Sequence, residues 1–94
     1  MIIRQAIIPS VISDKLWRKH RVPDDEVDQV FKSGPNYRRI ENGDVLGEDL
    51  YAAFGKTEAG RWLSVFFIYK RNHDALVISA RNMTKSERRQ YAKT

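Results

Sequence analysis

The run from Arg61 to Tyr69 constrains the fold of this chain more than any other segment. It is almost wholly apolar or aromatic and is the longest strand candidate in the sequence. Alternate side chains of a strand face opposite sides of its sheet, and even the more polar set here contains Trp62, Phe66 and Ile68. A chain of 94 residues forms one small domain. The second apolar face is therefore either covered by the last helix or kept for a partner.

Two helices are predicted before the strands. Residues 2–8 are rich in β-branched side chains and predict a strand or an extended arm. Ser13 is a typical residue for a helix start, and a helix is predicted over about 14–21. Pro23 suits the first position of a second helix, since the acidic residues after it favour the positive end of the helix dipole. The Ser-Gly-Pro sequence at 33–35 ends that helix.

The second half of the chain predicts an antiparallel β-meander of about four strands and one C-terminal helix. The strand candidates are residues 37–41, 50–54, 61–69 and 75–80. Asn42-Gly43 is typical of a tight hairpin turn, and Thr84 to Glu87 is a capping-box pattern that opens the last helix. Alternation along the last strand predicts that its side chains lie on two opposite faces of the sheet. One face holds Val77, Ser79 and Arg81, and the other holds Leu76, Ile78 and Ala80. Helices, then sheet, then one helix give a single α+β domain over residues 1–94.

Charge is distributed unevenly along the chain. Residues 1–23 carry a net charge of +4, residues 24–60 carry −5 and residues 61–94 carry +6. If the two basic ends meet in space, they form a positive surface beside an acidic middle. Such a surface suits a phosphate backbone or an acidic protein partner, and the alternative is a solvated face that keeps the protein soluble.

Composition excludes several classes of function. The chain has no cysteine, which excludes disulfides, zinc ribbons, iron–sulfur clusters and thiol catalysis. Two isolated histidines argue against a metal site, and no cofactor fingerprint is present. No apolar run approaches the roughly 20 residues that span a bilayer, and no signal pattern opens the chain. We therefore expect a cytoplasmic globular domain without a cofactor.

Short motifs over residues 15–93 carry a family resemblance. In chain order they are Lys19-His20, Glu26-Val27, Val30-Phe31, Gly47 to Tyr51, Gly55, Gly60-Arg61, Ile78 to Arg81, and Glu87-Arg88 with Tyr91. In this order and spacing they resemble the BrnT-type toxins. These are the toxin half of bacterial type II toxin–antitoxin pairs and have a RelE-like ribonuclease fold.

The resemblance implies a defined activity and partner. The chain would cleave RNA without a metal, arrest translation and be silenced by a cognate antitoxin. That antitoxin would be BrnA-like, with a ribbon-helix-helix part, and operator DNA would be bound only through the complex. Two alternatives remain from the residues themselves: a non-catalytic RNA-binding or ribosome-binding regulator, and a protein-docking module.

Metal-free RNA cleavage defines the catalytic candidates. One group must take the proton of the 2′-hydroxyl, another must protonate the leaving 5′-oxygen, and cations must hold the charge on phosphorus. The candidates are Lys19, His20, Arg61 and Arg81. Histidine changes charge near neutral pH, so His20 is the acid–base candidate. Each candidate also has a purely structural alternative. Lys19 and His20 would be cations that interact with the C-terminal end of the helix dipole. Arg61 would be an ordinary arginine at the end of a loop, and Arg81 would pair with a carboxylate.

The RNA-binding candidates lie in the basic last third of the chain. They are Lys70, Arg71, Lys85, Arg88 and Arg89. The last three share one side of the final helix, which would otherwise be a solvated face. The aromatic side chains of Trp62, Phe66 and Phe67 either stack on bases or pack in the core.

Overall fold

The computed structural model describes residues 1–92 as a five-stranded mixed sheet with three helices. The elements are β1 (Gln5–Ile7), α1 (Ser10–His20), α2 (Asp24–Lys32), β2 (Asn36–Glu41), β3 (Leu50–Lys56), β4 (Trp62–Tyr69), β5 (Asp74–Asn82) and α3 (Lys85–Tyr91). The sheet order is β1-β5-β4-β3-β2. Strands β2 to β5 form the predicted antiparallel meander. The N-terminal segment adds a fifth strand, which pairs with β5 in parallel. This confirms the predicted α+β class.

Helices α1 and α2 cover one face of the sheet. The core on that face contains the fully buried Leu16, Val27, Leu63, Val65 and Phe67. The opposite face holds a smaller cluster, in which Tyr91 of α3 stacks on Phe54 with ring centroids 3.9 Å apart. Helix α3 therefore covers part of the second apolar face, as one of the two predicted alternatives requires. Within residues 1–92, no helix has the length and apolarity needed to cross a bilayer.

The predicted start of α1 is wrong by several residues. The helix begins at Ser10, and the amide of Ser13 already donates to the carbonyl of Pro9 over 2.8 Å. Ser13 is thus inside the helix, and its hydroxyl donates to the carboxylate of Asp24 in α2 over 2.7 Å. Pro9, four residues before Ser13, sets the start of the helix instead. Proline is tolerated there because the first backbone N–H groups of a helix have no partner within the helix.

The predicted tight turn at Asn42-Gly43 is also wrong. Residues 42–49 form a longer loop between β2 and β3. A Cβ atom at Gly43 would lie 1.8 Å from the carbonyl oxygen of Glu48, so this glycine permits a close approach of the loop to itself. Two residues of the β4–β5 turn bind this loop. The Lys70 ammonium donates to Glu48, and the Arg71 guanidinium donates to the carbonyl of Leu46. These long-range contacts outweigh the local turn preference.

A bulge in β5 overturns the predicted facing of its side chains. Val77 pairs with Phe67 and Ser79 pairs with Phe66, which leaves Ile78 as the extra residue. The alternation shifts by one position there. Val77 and Ala80 are therefore both fully buried in the core below α1 and α2, and Arg81 lies on the face of α3.

Candidate active site

The guanidinium of Arg61 joins four segments at one end of the sheet. Its Nε atom donates to the side chain of Asn82 over 2.8 Å, and its Nη2 atom donates to the carbonyl of His20 over 2.8 Å. Its Nη1 atom donates to the carbonyl of Arg21 over 2.7 Å and to the carboxylate of Glu26 over 2.8 Å. The contacts satisfy carbonyl groups that the end of α1 leaves without helical partners. Arg61 is thus more than an ordinary loop-exit arginine.

The local sequence explains why these groups meet. Helix α1 ends at His20, the capping residue Arg21 adopts the left-handed conformation with φ of 53°, and the next residue, Val22, is fully buried. The chain therefore turns sharply into α2. Pro23 precedes α2, and the acidic first turn of that helix places Glu26 beside Arg61. The first and last basic segments of the chain meet at this point, because α1 ends where β4 begins and β5 ends.

A second ion pair lies next to the first, on the α3 face. Arg81 binds Glu87 with its two terminal guanidinium nitrogens, over 2.7 Å and 3.0 Å. Glu87 also accepts hydrogen bonds from the hydroxyl of Ser64 and the amide of Thr84, each over 2.9 Å. The amide of Glu87 donates to the Thr84 hydroxyl, which confirms the predicted capping box. The Arg81 guanidinium lies over the ring of Phe66, and its central carbon is 5.1 Å from the ring centroid.

This network fixes the charge of Glu87. The ion pair with Arg81, aided by the hydrogen bonds from Thr84 and Ser64, lowers the pKa of Glu87 from 4.5 to about 2. Glu87 is therefore a carboxylate throughout the physiological range and has no proton to give. It positions Arg81 and the start of α3.

The same pKa shift predicts a loss of stability in acid. Glu87 has a lower pKa when folded, so its contribution is complete above pH 4.5 and is lost as the pH falls toward 2. We expect a loss on the order of 1–2 kcal/mol from this residue, because solvent contact screens the pair. Urea unfolding of the wild type and the Glu87→Gln variant at about pH 5 and about pH 2.5 measures it. An equal pH dependence in the two proteins would contradict this assignment.

An open cleft of about 420 Å³ lies beside Arg61. We call it the basic cleft, and it is lined by Gly60, Arg61, Trp62, Asn82, Met83 and Arg88. Arg61, the residue before β4, and Arg88 of α3 bring positive charge to it. Arg61 also connects it to the end of α1, where Lys19 is exposed and His20 is partly exposed. Such a cleft can hold a phosphate group.

The structure brings together some of the predicted site residues and separates others. Arg61 contacts the backbone of His20 and lines the basic cleft with Arg88. Arg81 lies one residue from Asn82 but on the α3 face, bound to its carboxylate partner. Lys85 and Arg89 are exposed on α3.

Lys70 and Arg71 lie at the opposite end of β4, roughly 25 Å away along the strand. There they hold the 42–49 loop through the contacts described above. Their predicted contact with RNA stays a prediction. His73 is exposed in the adjacent turn, with its ring stacked on Tyr69 at 5.5 Å.

Sequence reasoning missed the contacts of three residues, which are Asn82, Arg38 and Glu87. Asn82 bridges the two arginines, since its side chain accepts from Arg61 and its carbonyl accepts from Arg81. Arg38 of β2 donates to the hydroxyl of Tyr91 over 3.3 Å and so connects α3 to the edge strand β2. The capping-box pattern identified Glu87 as part of a helix start but gave no sign of its bond to Arg81. These contacts depend on which strands are neighbours, and no local motif reports that.

A comparison with protein families identifies the class of protein. The model of the family described as ribonuclease toxin, BrnT, of type II toxin–antitoxin system matches residues 12–87. The match runs from α1 to the first turn of α3 and includes Arg61 and Arg81. The chain belongs to this family, which confirms the resemblance seen in its motifs. Its role is therefore that of a ribonuclease toxin, with RNA as its target and an antitoxin protein as its partner. No curated protein matches the chain.

Proposed function

We propose that this chain cleaves RNA at the basic end of its sheet without a bound metal ion. The cleavage arrests translation in the cytoplasm, and a cognate antitoxin neutralises it. The observation that supports this proposal is the Arg61 hub, which joins the Lys19-His20 end of α1 to the rim of the basic cleft. The finer expectations about the partner, a BrnA-like antitoxin with a ribbon-helix-helix part and operator binding only in the complex, belong to the same proposal.

The proposed chemistry uses groups that lie at the same end of the sheet as the basic cleft. The 2′-oxygen attacks phosphorus as its proton is removed, and the 5′-oxygen leaves as it receives a proton. The products are a 2′,3′-cyclic phosphate and a 5′-hydroxyl end. His20 supplies the acid–base function, and the cations of Lys19, Arg81 and Arg88 stabilise the charge that develops on the phosphate.

Arg61 has a separate part in this proposal. Its guanidinium is bound to the carbonyls of His20 and Arg21 and to Glu26. It therefore fixes the end of α1, and with it the position of His20, relative to the cleft. The Arg61 side chain is 26% exposed, so its positive charge also remains accessible at the wall of the basic cleft. Arg61 positions the acid–base group and adds to the field that attracts phosphate.

A cleavage assay in the presence of EDTA tests the proposal. We expect the purified chain to cut RNA in EDTA and to leave 5′-hydroxyl ends. The His20→Ala variant should lose roughly 10²–10⁴-fold in rate, the usual contribution of an acid–base group. His73→Ala is the matched control, since it removes the other histidine, which lies in the turn at the far end of β4.

Three outcomes would contradict the proposal. Cleavage that EDTA abolishes and magnesium restores would contradict the metal-free reaction. Full activity of His20→Ala would remove His20 from the chemistry. Binding of RNA with a steep salt dependence but without cleavage would favour a regulator that only binds RNA.

A further inference from the structure

Trp62 separates the basic cleft from a second cavity. That cavity has a volume of about 310 Å³, and its walls include Asn36, Phe54, Lys56, Trp62 and Tyr91. We call it the aromatic cavity. The Trp62 side chain is partly exposed and lines both spaces. A group held in the basic cleft therefore has the aromatic cavity as its immediate neighbour.

The aromatic cavity has the walls that a flat ligand requires. Tyr91 and Phe54 stack with an interplanar angle of 1°, which fixes the orientation of the Tyr91 ring. Trp62 contributes a second aromatic surface, and the Lys56 ammonium lies 5.2 Å from its ring centroid. The volume is at the lower end of the roughly 300–1,000 Å³ typical of ligand pockets. Phe67, by contrast, is fully buried and serves the core alone.

We propose that the aromatic cavity binds an unpaired RNA base next to the phosphate in the basic cleft, with that base stacked on Trp62. This inference rests on the proposed function, because it takes the cleft to be the phosphate site. In a single-stranded RNA the base and its phosphate are joined through one ribose, so two sites that share one side chain can hold a single nucleotide. Aromatic side chains are the usual partners of unstacked RNA bases.

Polar groups at the edge of the aromatic cavity suit the same ligand. Lys56 is exposed, so its ammonium can leave the Trp62 ring when a base replaces it and can then pair with a neighbouring phosphate. Asn36 is also exposed, and its carboxamide offers a donor and an acceptor to the edge of a base. The site therefore combines stacking, charge and base-edge hydrogen bonding within one nucleotide's reach.

Tryptophan fluorescence tests this inference without any need for cleavage. The chain has two tryptophans, so the Trp17→Phe variant leaves Trp62 as the only tryptophan. The probe is a single-stranded oligonucleotide with 2′-O-methyl riboses, which cannot be cut through a 2′-hydroxyl. We expect its binding to quench Trp62 in a saturable way. In the Trp62→Phe variant, where Trp17 is the only tryptophan, binding should cause a clearly smaller change in emission.

A second experiment measures the stacking energy as an affinity. Base stacking on an aromatic side chain corresponds to roughly 5- to 150-fold in affinity, so Trp62→Ala should bind the oligonucleotide about tenfold or more weakly. An oligonucleotide of the same length that lacks its bases should bind the wild type just as weakly. The variant should show a much smaller difference between the two oligonucleotides. The wild-type comparison needs no substitution and holds even if Trp62→Ala folds poorly.

The outcomes separate this inference from the function on which it rests. Salt-dependent binding of the oligonucleotide without any change in Trp62 emission would overturn the base site and leave the RNA function intact. Equal affinity of the wild type for the normal and base-free oligonucleotides would do the same. A complete absence of binding would overturn both the base site and the proposed function.

Discussion

Replacing Arg61 with alanine is expected to reduce RNA cleavage by at least about 100-fold and to lower the free energy of unfolding by about 2–3 kcal/mol. The variant leaves the carboxylate of Glu26, 18% exposed at the side chain, without its partner. It also removes the donor groups that hold the carbonyls of His20 and Arg21. Urea unfolding and a cleavage assay on the same preparation measure the two effects.

The Arg4→Ala variant is a matched control for the structural part of this effect. Arg4 also binds a carboxylate, although through two nitrogens, since its Nε and Nη2 atoms donate to Asp74 over 2.7 Å and 3.0 Å. That pair joins the N-terminal segment to the start of β5, far from the basic cleft. We expect Arg4→Ala to lose stability and to keep its cleavage rate under folded conditions. If both variants lose activity in proportion to stability, Arg61 has no special place in the reaction.

Replacing Phe67 with alanine is expected to have the largest effect on stability, about 3–5 kcal/mol. Phe67 is fully buried at the centre of an aromatic group, with ring centroids 5.2 Å from Phe31, 6.1 Å from Tyr37 and 6.0 Å from Tyr51. Its removal leaves a cavity below α2 that the rigid sheet cannot close. Thermal unfolding followed by circular dichroism measures the loss.

Phe66 provides the matched control from the same strand. It carries the same side chain on the opposite face of the sheet, where it is only partly buried. The Phe66→Ala variant should therefore lose clearly less stability than Phe67→Ala. If Phe67→Ala unfolds completely, Phe67→Leu gives a smaller and measurable loss. Equal losses for the two alanine variants would contradict the placement of the core below α1 and α2.

Local patterns predicted those parts of the fold that depend on neighbours in sequence. The capping box at Thr84 and Glu87 and the stop of α2 at Ser33 were both found from a few adjacent residues. The 42–49 loop was missed because its shape depends on Lys70 and Arg71, which are more than 20 residues away. The bulge at Ile78 was missed because it is a property of the pairing between two strands.

The candidate site shows the same division. Charge counts along the sequence indicated that basic ends could meet, but the meeting point depends on Arg61 and its partners at 20, 21, 26 and 82. No spacing rule relates positions so far apart. The family motifs supplied Arg61 and Arg81 as candidates. The geometry adds that Arg61 holds the end of α1 and that Arg81 is held by Glu87.

A map of new RNA 5′ ends, made within minutes of producing this chain in cells without its antitoxin, tests the central claim most directly. We expect new 5′-hydroxyl ends inside transcripts for the wild type and for Arg4→Ala, and none for His20→Ala or Arg88→Ala. Arg88 is exposed, so its replacement removes charge from the basic cleft with little effect on the fold. Growth arrest without new ends, or the same ends in all four strains, would contradict an RNA endonuclease that works at the basic end of the sheet.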